Sequence, residues 1–231
     1  MLNLNSFPEY FRSYSWDKKH HLYGYPPDNF EKFEWILSLE RRFEWLKHHG
    51  TNKPTASIYL FREMIQWGGS QNGVLQKFED QLGETNLQAV IQAIVNNLHD
   101  PKLAIDVALT LPGLGLTYAS KLLRFLHPER YGALDTRVRN ALLQQINHNR
   151  IPKIYDGNAK SMSTGYIAFN SYVNSLKINL EDASINRPEC ALPRANGKTG
   201  WRSADIEMAL FAWANPDEEQ YKEPFGKTKS Y

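Results

Sequence analysis

The residues whose types and spacing best suit chemistry fall in one stretch, Leu111 to Asn140. It opens with Leu111-Pro112-Gly113-Leu114-Gly115 and continues as a segment with apolar residues at Leu116, Ala119, Leu122, Leu123 and Leu126. This spacing predicts a helix that starts directly after a glycine-rich turn. Gly113 and Gly115 supply the positive φ that a tight turn needs and let the backbone approach a ligand without a Cβ in the way. The amides that open the second helix point outward, where the helix dipole favours an anion such as a phosphate. Lys121 lies on that helix, and a lysine in an apolar pocket becomes nucleophilic when its pKa falls. On a solvated face it is only a charge. Asp135 stands 19 positions beyond Leu116, after the short Pro128–Gly132 loop and just before a further helix at 136–146. There it can act on a substrate, cap the helix through the Arg137 or Val138 amide, or do both.

Several elements must position these groups. The first 30 residues are rich in aromatics and prolines and read as an irregular segment packed against a body, too apolar for a linker. Helices are predicted from Asp28 to Gly50, Pro54 to Trp67, Val74 to Leu82 and Leu87 to Leu98. The sequence Gly68-Gly69-Ser70-Gln71-Asn72-Gly73 is a tight polar loop. Asp100-Pro101 is an N-cap and first-turn pair for a helix running to Leu111, with Leu103, Val107 and Leu111 on its apolar face. The stretch 187–200 reads as a loop, and Ser203 as the cap of a last helix at 204–214, before a polar tail. No segment alternates with period two, so the chain reads as all-α with about eight to ten helices. The expected arrangement is two lobes with a cleft between them, residues 1–100 and 101–231, forming one compact unit.

The composition excludes several classes. Hydrophobic residues make up 42% of the 231 and aromatics 13%, which is globular rather than disordered. No apolar run approaches the roughly 18 residues of a membrane span. The first residues carry no secretory signal pattern, so a cytoplasmic location is expected. The lone Cys190 excludes an intrachain disulfide and a four-cysteine metal or iron–sulfur site. His20-His21 and His48-His49 lack ligand spacing, so neither a metal nor a cofactor is expected; Lys18-Lys19-His20-His21 reads either as a solvated basic patch near a nucleic acid or as only a soluble edge. The net charge of +2 conceals an uneven distribution. From Pro101 to Lys153, eight Lys and Arg face three acids, a surplus of five that leaves the remainder net negative. A local basic excess of this kind suits phosphate contacts.

The order Leu-Pro-Gly-x-Gly, a helix, then an apolar residue followed by Asp-Thr-x-Val, resembles the helix-hairpin-helix DNA glycosylase superfamily. Within that superfamily the chain is most similar to the bacterial 8-oxoguanine DNA glycosylase-like proteins, on the strength of Trp201-Arg202-Ser203-Ala204-Asp205-Ile206-Glu207-Met208-Ala209-Leu210-Phe211. The lack of a four-cysteine cluster points the same way. The resemblance implies a helix-hairpin-helix fold that binds double-stranded DNA, flips a damaged base, such as an oxidised purine, and cleaves its N-glycosidic bond. By position Gly113, Leu114, Gly115, Thr117, Arg137 and Arg139 would contact DNA. Asp135 would stabilise the developing sugar cation and help activate the nucleophile.

There is one clear departure. Bifunctional members carry a lysine two residues after the second hairpin glycine, where this chain has Thr117. Lys121, one turn later on the same face, is the nearest substitute. With Lys121 as nucleophile the enzyme would also cleave the strand; otherwise water attacks. Trp67, Phe211 and Trp213 are candidates for the base pocket. Gln71 and Asn72 resemble the loop residues that meet the opposite strand, although they lie closer to the hairpin than in such relatives. A non-catalytic module binding DNA or a modified nucleobase, including an accessory protein of a bacterial antiviral system, is the alternative.

Overall fold

Helical apolar spacing, repeatedly introduced by proline or a capping side chain, produces ten α-helices and no strand among the described residues of the computed structural model. The structure describes residues 2–16, 20–25, 33–49, 53–145 and 151–214. The helices are α1 (Phe7–Arg12), α2 (Glu34–His49), α3 (Pro54–Trp67), α4 (Val74–Gln81), α5 (Leu87–Asn96), α6 (Pro101–Ala108), α7 (Leu116–Leu126), α8 (Thr136–Gln145), α9 (Ala159–Asp182) and α10 (Ser203–Trp213). The expected all-α class is therefore found. No helix is long and apolar enough to cross a membrane among the described residues. The expected start at Asp28, Gly50, Lys18, Lys19 and the polar tail lie outside the described residues.

Several starts and stops are as the residues demand. Asn86 caps α5 through the Ala89 amide, and Asp100 caps α6 through the Lys102 and Leu103 amides. These side chains satisfy donors that no helical carbonyl can reach. α3 begins at Pro54 and stops at Gly68.

Three expectations need correction. The aromatic N-terminal stretch contains a helix, α1, whose Phe7 and Phe11 pack edge-on against Trp201, and it lies against α10. The apolar face of α6 is not Leu103–Val107–Leu111. Leu103 is 45% exposed, Ala104, Ile105 and Ala108 are buried, and the helix ends at Ala108. Small side chains win this face because α6 packs closely between α5, α7 and α9. Arg202, not Ser203, is the N-cap of α10; its amide donates to Asp205 and the Ser203 hydroxyl instead donates to the Glu129 carbonyl. The long α9 follows an Asn158 cap, and Gly165 in it admits Ile154, whose Cγ1 and Cδ1 occupy the space that a Cβ would fill.

α7 and α10 form the interior. Every residue of α7 from Tyr118 to Leu126 is buried, including Lys121 and Arg124. α10 is buried from Ser203 to Phe211. A helix enclosed on all sides must bring partners for its charges. Arg124 pairs with Glu40 of α2 at 3.0 Å. Arg202 pairs with Glu40 at 2.8 Å and with Asp205 at 2.7 Å, and Arg187 reaches Asp205 at 3.4 Å. This dry network ties α2, α7, α10 and the loop at 187–200 together, and its carboxylates hold Arg202 charged despite burial. One continuous apolar cluster runs from Phe7 to Phe211 across both halves of the chain.

Candidate active site

The hairpin turn comes first. Gly113 has φ +72°, and an added Cβ would stand 2.9 Å from the Lys77 Cβ and 3.1 Å from the Phe78 amide nitrogen. Its glycine is thus needed to seat the turn on α4. The expectation of a positive φ at both glycines holds only for Gly113: Gly115 has φ −63° and caps α7 in an extended conformation that any residue could adopt, with open space around its missing Cβ. Tyr118 and Ala119 already donate to the Gly115 carbonyl, so the Leu116 and Thr117 amides are the outward pair at the helix start. An open groove of about 580 Å³ runs beside them, lined by Asn72, Lys77, Gly113, Gly115, Thr117 and Thr136 among others. Leu114 also borders the groove, but it is 2% exposed and can offer little beyond its backbone.

Behind the hairpin lies Lys121. Its Nζ stands 3.8 Å from Asp135 Oδ2, and both side chains are largely buried. Three rings surround the ammonium: Tyr118 at 5.2 Å, Trp67 at 5.4 Å and Trp16 at 5.5 Å from their centres. A cation desolvated among aromatic faces gains about 2 kcal/mol from their quadrupoles, which offsets part of its burial cost. The amine also reaches the Gly68 carbonyl at 3.5 Å. Gly68 makes this geometry feasible, since a Cβ there would meet the Tyr118 ring at 2.6 Å and Lys121 Nζ at 3.2 Å.

Asp135 has two partners. Oδ1 accepts from the Arg137 amide at 2.9 Å, which caps α8. Oδ2 faces Lys121. Capping and a chemical role are therefore geometrically compatible. Tyr118 links the site to the polar loop. Its hydroxyl donates to the Gly68 carbonyl at 3.2 Å and accepts from the Gln71 amide at 3.1 Å. Burial and the Asp135 charge push its phenol above the usual value.

No protein-family model matches this chain, and no curated protein or solved structure matches it.

The remaining sequence candidates divide by position. Trp67 is buried, with Lys121 and Arg124 beside its ring and Phe125 packed edge-on at 4.9 Å. Phe211 is buried under Trp16 at 5.2 Å, with Arg137 5.7 Å from its ring centre. Trp213 is half-buried at the edge of the core. Gln71 and Asn72 are exposed, and Asn72 has left-handed φ at +56° on the groove rim. Arg139 is paired bidentately with Asp156 at 2.9 and 3.1 Å. Lys102 is likewise paired with Asp106 at 2.6 Å, and Arg130 donates to the His99 carbonyl. With Lys121 and Arg124 buried, the positive surplus of this segment does not form one free basic face. Arg150 lies outside the described residues. Among the described residues no group of His, Cys, Asp and Glu could hold a metal ion, and His48 pairs with Glu44 at 3.1 Å.

Trp16, Gly68 and Tyr118 complete the site and are not singled out individually by the sequence. Gly68 and Tyr118 adjoin recognised features; nothing around Trp16 separates it from the other aromatics near it.

Proposed function

We propose that this protein is a DNA glycosylase that removes a damaged base, an oxidised purine being the favoured class, with Lys121 as nucleophile and Asp135 beside it. The observation that carries this reading is the 3.8 Å approach of Lys121 Nζ to Asp135 Oδ2 directly behind the glycine hairpin. Thr117 occupies the position where the resembling enzymes have their lysine, and Lys121, one turn further along α7, meets the aspartate from there. The groove beside Gly115 and the outward Leu116 and Thr117 amides would take a DNA phosphate.

In this scheme the neutral Lys121 amine forms a bond to the sugar C1′ while the glycosidic bond breaks and its electron pair leaves with the base. The Asp135 carboxylate stabilises positive charge at the sugar as the bond breaks. Proton loss from nitrogen and opening of the ring at O4′ give an iminium, which borohydride reduces to a stable amine. Trp16 covers Lys121, so a flipped nucleotide must displace its indole. Duplexes each carrying one lesion, incubated with borohydride, test the scheme. A covalent adduct that disappears in Lys121→Ala supports it.

A second reading is favoured by one observation, the burial of Lys121 to 4% exposure under Trp16 and Trp67. In that reading the cation is structural and the hairpin binds DNA or a modified nucleobase without chemistry. Binding that depends on salt, with no base released from any duplex, would favour it.

A further inference from the structure

A second cavity lies at the other end of α7 from the hairpin. α7 is 11 residues long, so its cap at His127 stands about 16 Å from the glycine turn. There the chain turns back and meets α9, whose Tyr166 hydroxyl donates to the Gly132 carbonyl at 3.1 Å. An open cavity of about 400 Å³ is lined by His127, Glu129 and Arg130 of this turn and by Asn170, Asn174 and Lys177 of α9. The three α9 residues follow one another by four and then three positions, which puts them on one face of the helix.

Hydrogen bonds fix this lining. The Arg130 amide donates to the His127 carbonyl at 3.0 Å, and Arg130 Nη2 donates to the His99 carbonyl at 2.6 Å. Asn174 Nδ2 donates to the Asn170 carbonyl at 2.9 Å. The Ser203 hydroxyl donates to the Glu129 carbonyl at 3.0 Å and stands 3.4 Å from Asn174 Oδ1. These bonds leave other groups unmet. Asn170 is 3% exposed, yet its Oδ1 has no hydrogen-bonding partner among the described residues, and the buried Arg130 Nε has none either. Glu129, Arg130 and Lys177 line one cavity and make no salt bridge among the described residues. Buried donors and acceptors almost always have a partner, so two unmet ones at the wall of one cavity point to a molecule that supplies it.

The charges select the ligand. Burial pushes the Glu129 carboxyl up and the His127 imidazole down. His127 is therefore neutral at neutral pH, and the cavity holds two cations against at most one anion. A guanidinium and an ammonium without a carboxylate partner suit an oxyanion. The Asn170 Oδ1 suits a hydrogen-bond donor on the same molecule. The polar lining and modest volume suit a small polar molecule rather than an apolar one. We propose that this cavity binds a small oxyanion, a carboxylate or a phosphate ester, that also carries a hydroxyl group. Arg130 Nε and the Lys177 ammonium hold the anion, and Asn170 Oδ1 accepts from the hydroxyl. The site stands apart from the hairpin and does not rest on the reading of Lys121 as nucleophile.

Calorimetric titration of the full chain at neutral pH tests the site. The probes are glycerol phosphate and glycerate, which carry hydroxyls beside the anion, and methyl phosphate and acetate, which do not. At least one hydroxylated probe should bind with a Kd of about 1 mM or tighter, and the tighter of the two identifies the anion as phosphate or carboxylate. Lys177→Gln should weaken it by about tenfold or more. Lys177→Arg, which keeps the charge, should retain binding, and it serves if the Gln variant does not fold. Asn170→Ala should weaken the hydroxylated probes and leave methyl phosphate and acetate as they were. Lys77→Gln, in the hairpin groove, should change nothing. No binding of either hydroxylated probe at about 10 mM would overturn the proposal. So would equal binding by wild type and Lys177→Gln, or binding lost in Lys77→Gln alone, which would put the anion at the hairpin.

Discussion

Lys121 and Asp135 meet at 3.8 Å although they arrive on different elements, one from the middle of α7 and the other from the loop before α8. Four groups enforce the meeting. Gly68 leaves room for the amine, Tyr118 and Trp67 wall it, and the Arg137 amide fixes the aspartate from behind. The pair is therefore held by packing on both sides, with neither side chain free to swing in water.

Asp135→Asn separates the two duties of the aspartate. Asparagine caps helices about as well as aspartate, so the cap itself should be kept, and the stability lost should come from leaving the buried Lys121 ammonium without this counter-charge, about 1–3 kcal/mol. Base release should fall by about 10²-fold or more, because the carboxylate charge is gone. Single-turnover release and a thermal melt on the same samples check both halves. Unchanged release would remove Asp135 from the chemistry and leave it only a cap.

Gly68→Ala tests whether space at position 68 holds the site. The backbone there has φ −68°, which alanine accepts, so any effect is steric. The new methyl would press on the Tyr118 ring and Lys121 Nζ. Overpacking of this kind costs about 1–3 kcal/mol, and trapping should drop with it. A variant as stable and as active as wild type would show that the site yields easily.

The hairpin, α6 and Arg139 show what the amino-acid sequence carries and what it does not. The left-handed Gly113, the α3 bounds at Pro54 and Trp67, the α7 bounds and the Asp100 cap are local effects of proline, glycine and capping side chains and are legible in the sequence, whereas the positive φ expected at Gly115 is not found. The α6 face was not, because Leu103, Val107 and Leu111 keep perfect helical spacing while close packing selects the small residues instead. Lys121 was visible as a candidate, but its aromatic cage depends on Trp16, more than a hundred residues away. Arg139 reads as a DNA-facing cation until Asp156, seventeen positions on, is brought beside it. Charge counts along a chain cannot tell a free cation from a paired one.

That pairing gives a prediction about binding. Asp156 lines the groove and occupies Arg139. Asp156→Asn removes a negative charge from the groove and frees the guanidinium. DNA binding should tighten, and the dependence of log K on log salt should steepen by about one phosphate contact. Stability should change little, because the Asp156 side chain is 67% exposed. Weaker binding would mean that the Arg139–Asp156 pair itself shapes the interface.

Glu207 makes stability depend on pH in a defined direction. Its folded value, about 7, lies above the ordinary carboxyl value of 4.5. A raised value means that its stabilising contribution is complete below about 4.5 and is lost as pH rises through about 7. The total is about 3 kcal/mol by the conversion of pKa shift to free energy. Glu207→Gln cannot ionise, so the gap between variant and wild type should move in favour of the variant between pH 5 and about 8. Urea melts across that interval measure it. A gap that does not change with pH would show that Glu207 ionises as freely in the fold as in the unfolded chain.

The most direct measurement is borohydride trapping on a duplex with a single 8-oxoguanine, comparing wild type, Lys121→Ala and Asp135→Asn. A covalent adduct with wild type, none with Lys121→Ala and a strongly reduced yield with Asp135→Asn is the predicted result. No adduct and no released base from this or any other lesion, with DNA binding unaffected by Asp135→Asn, would contradict a catalytic Lys121–Asp135 pair.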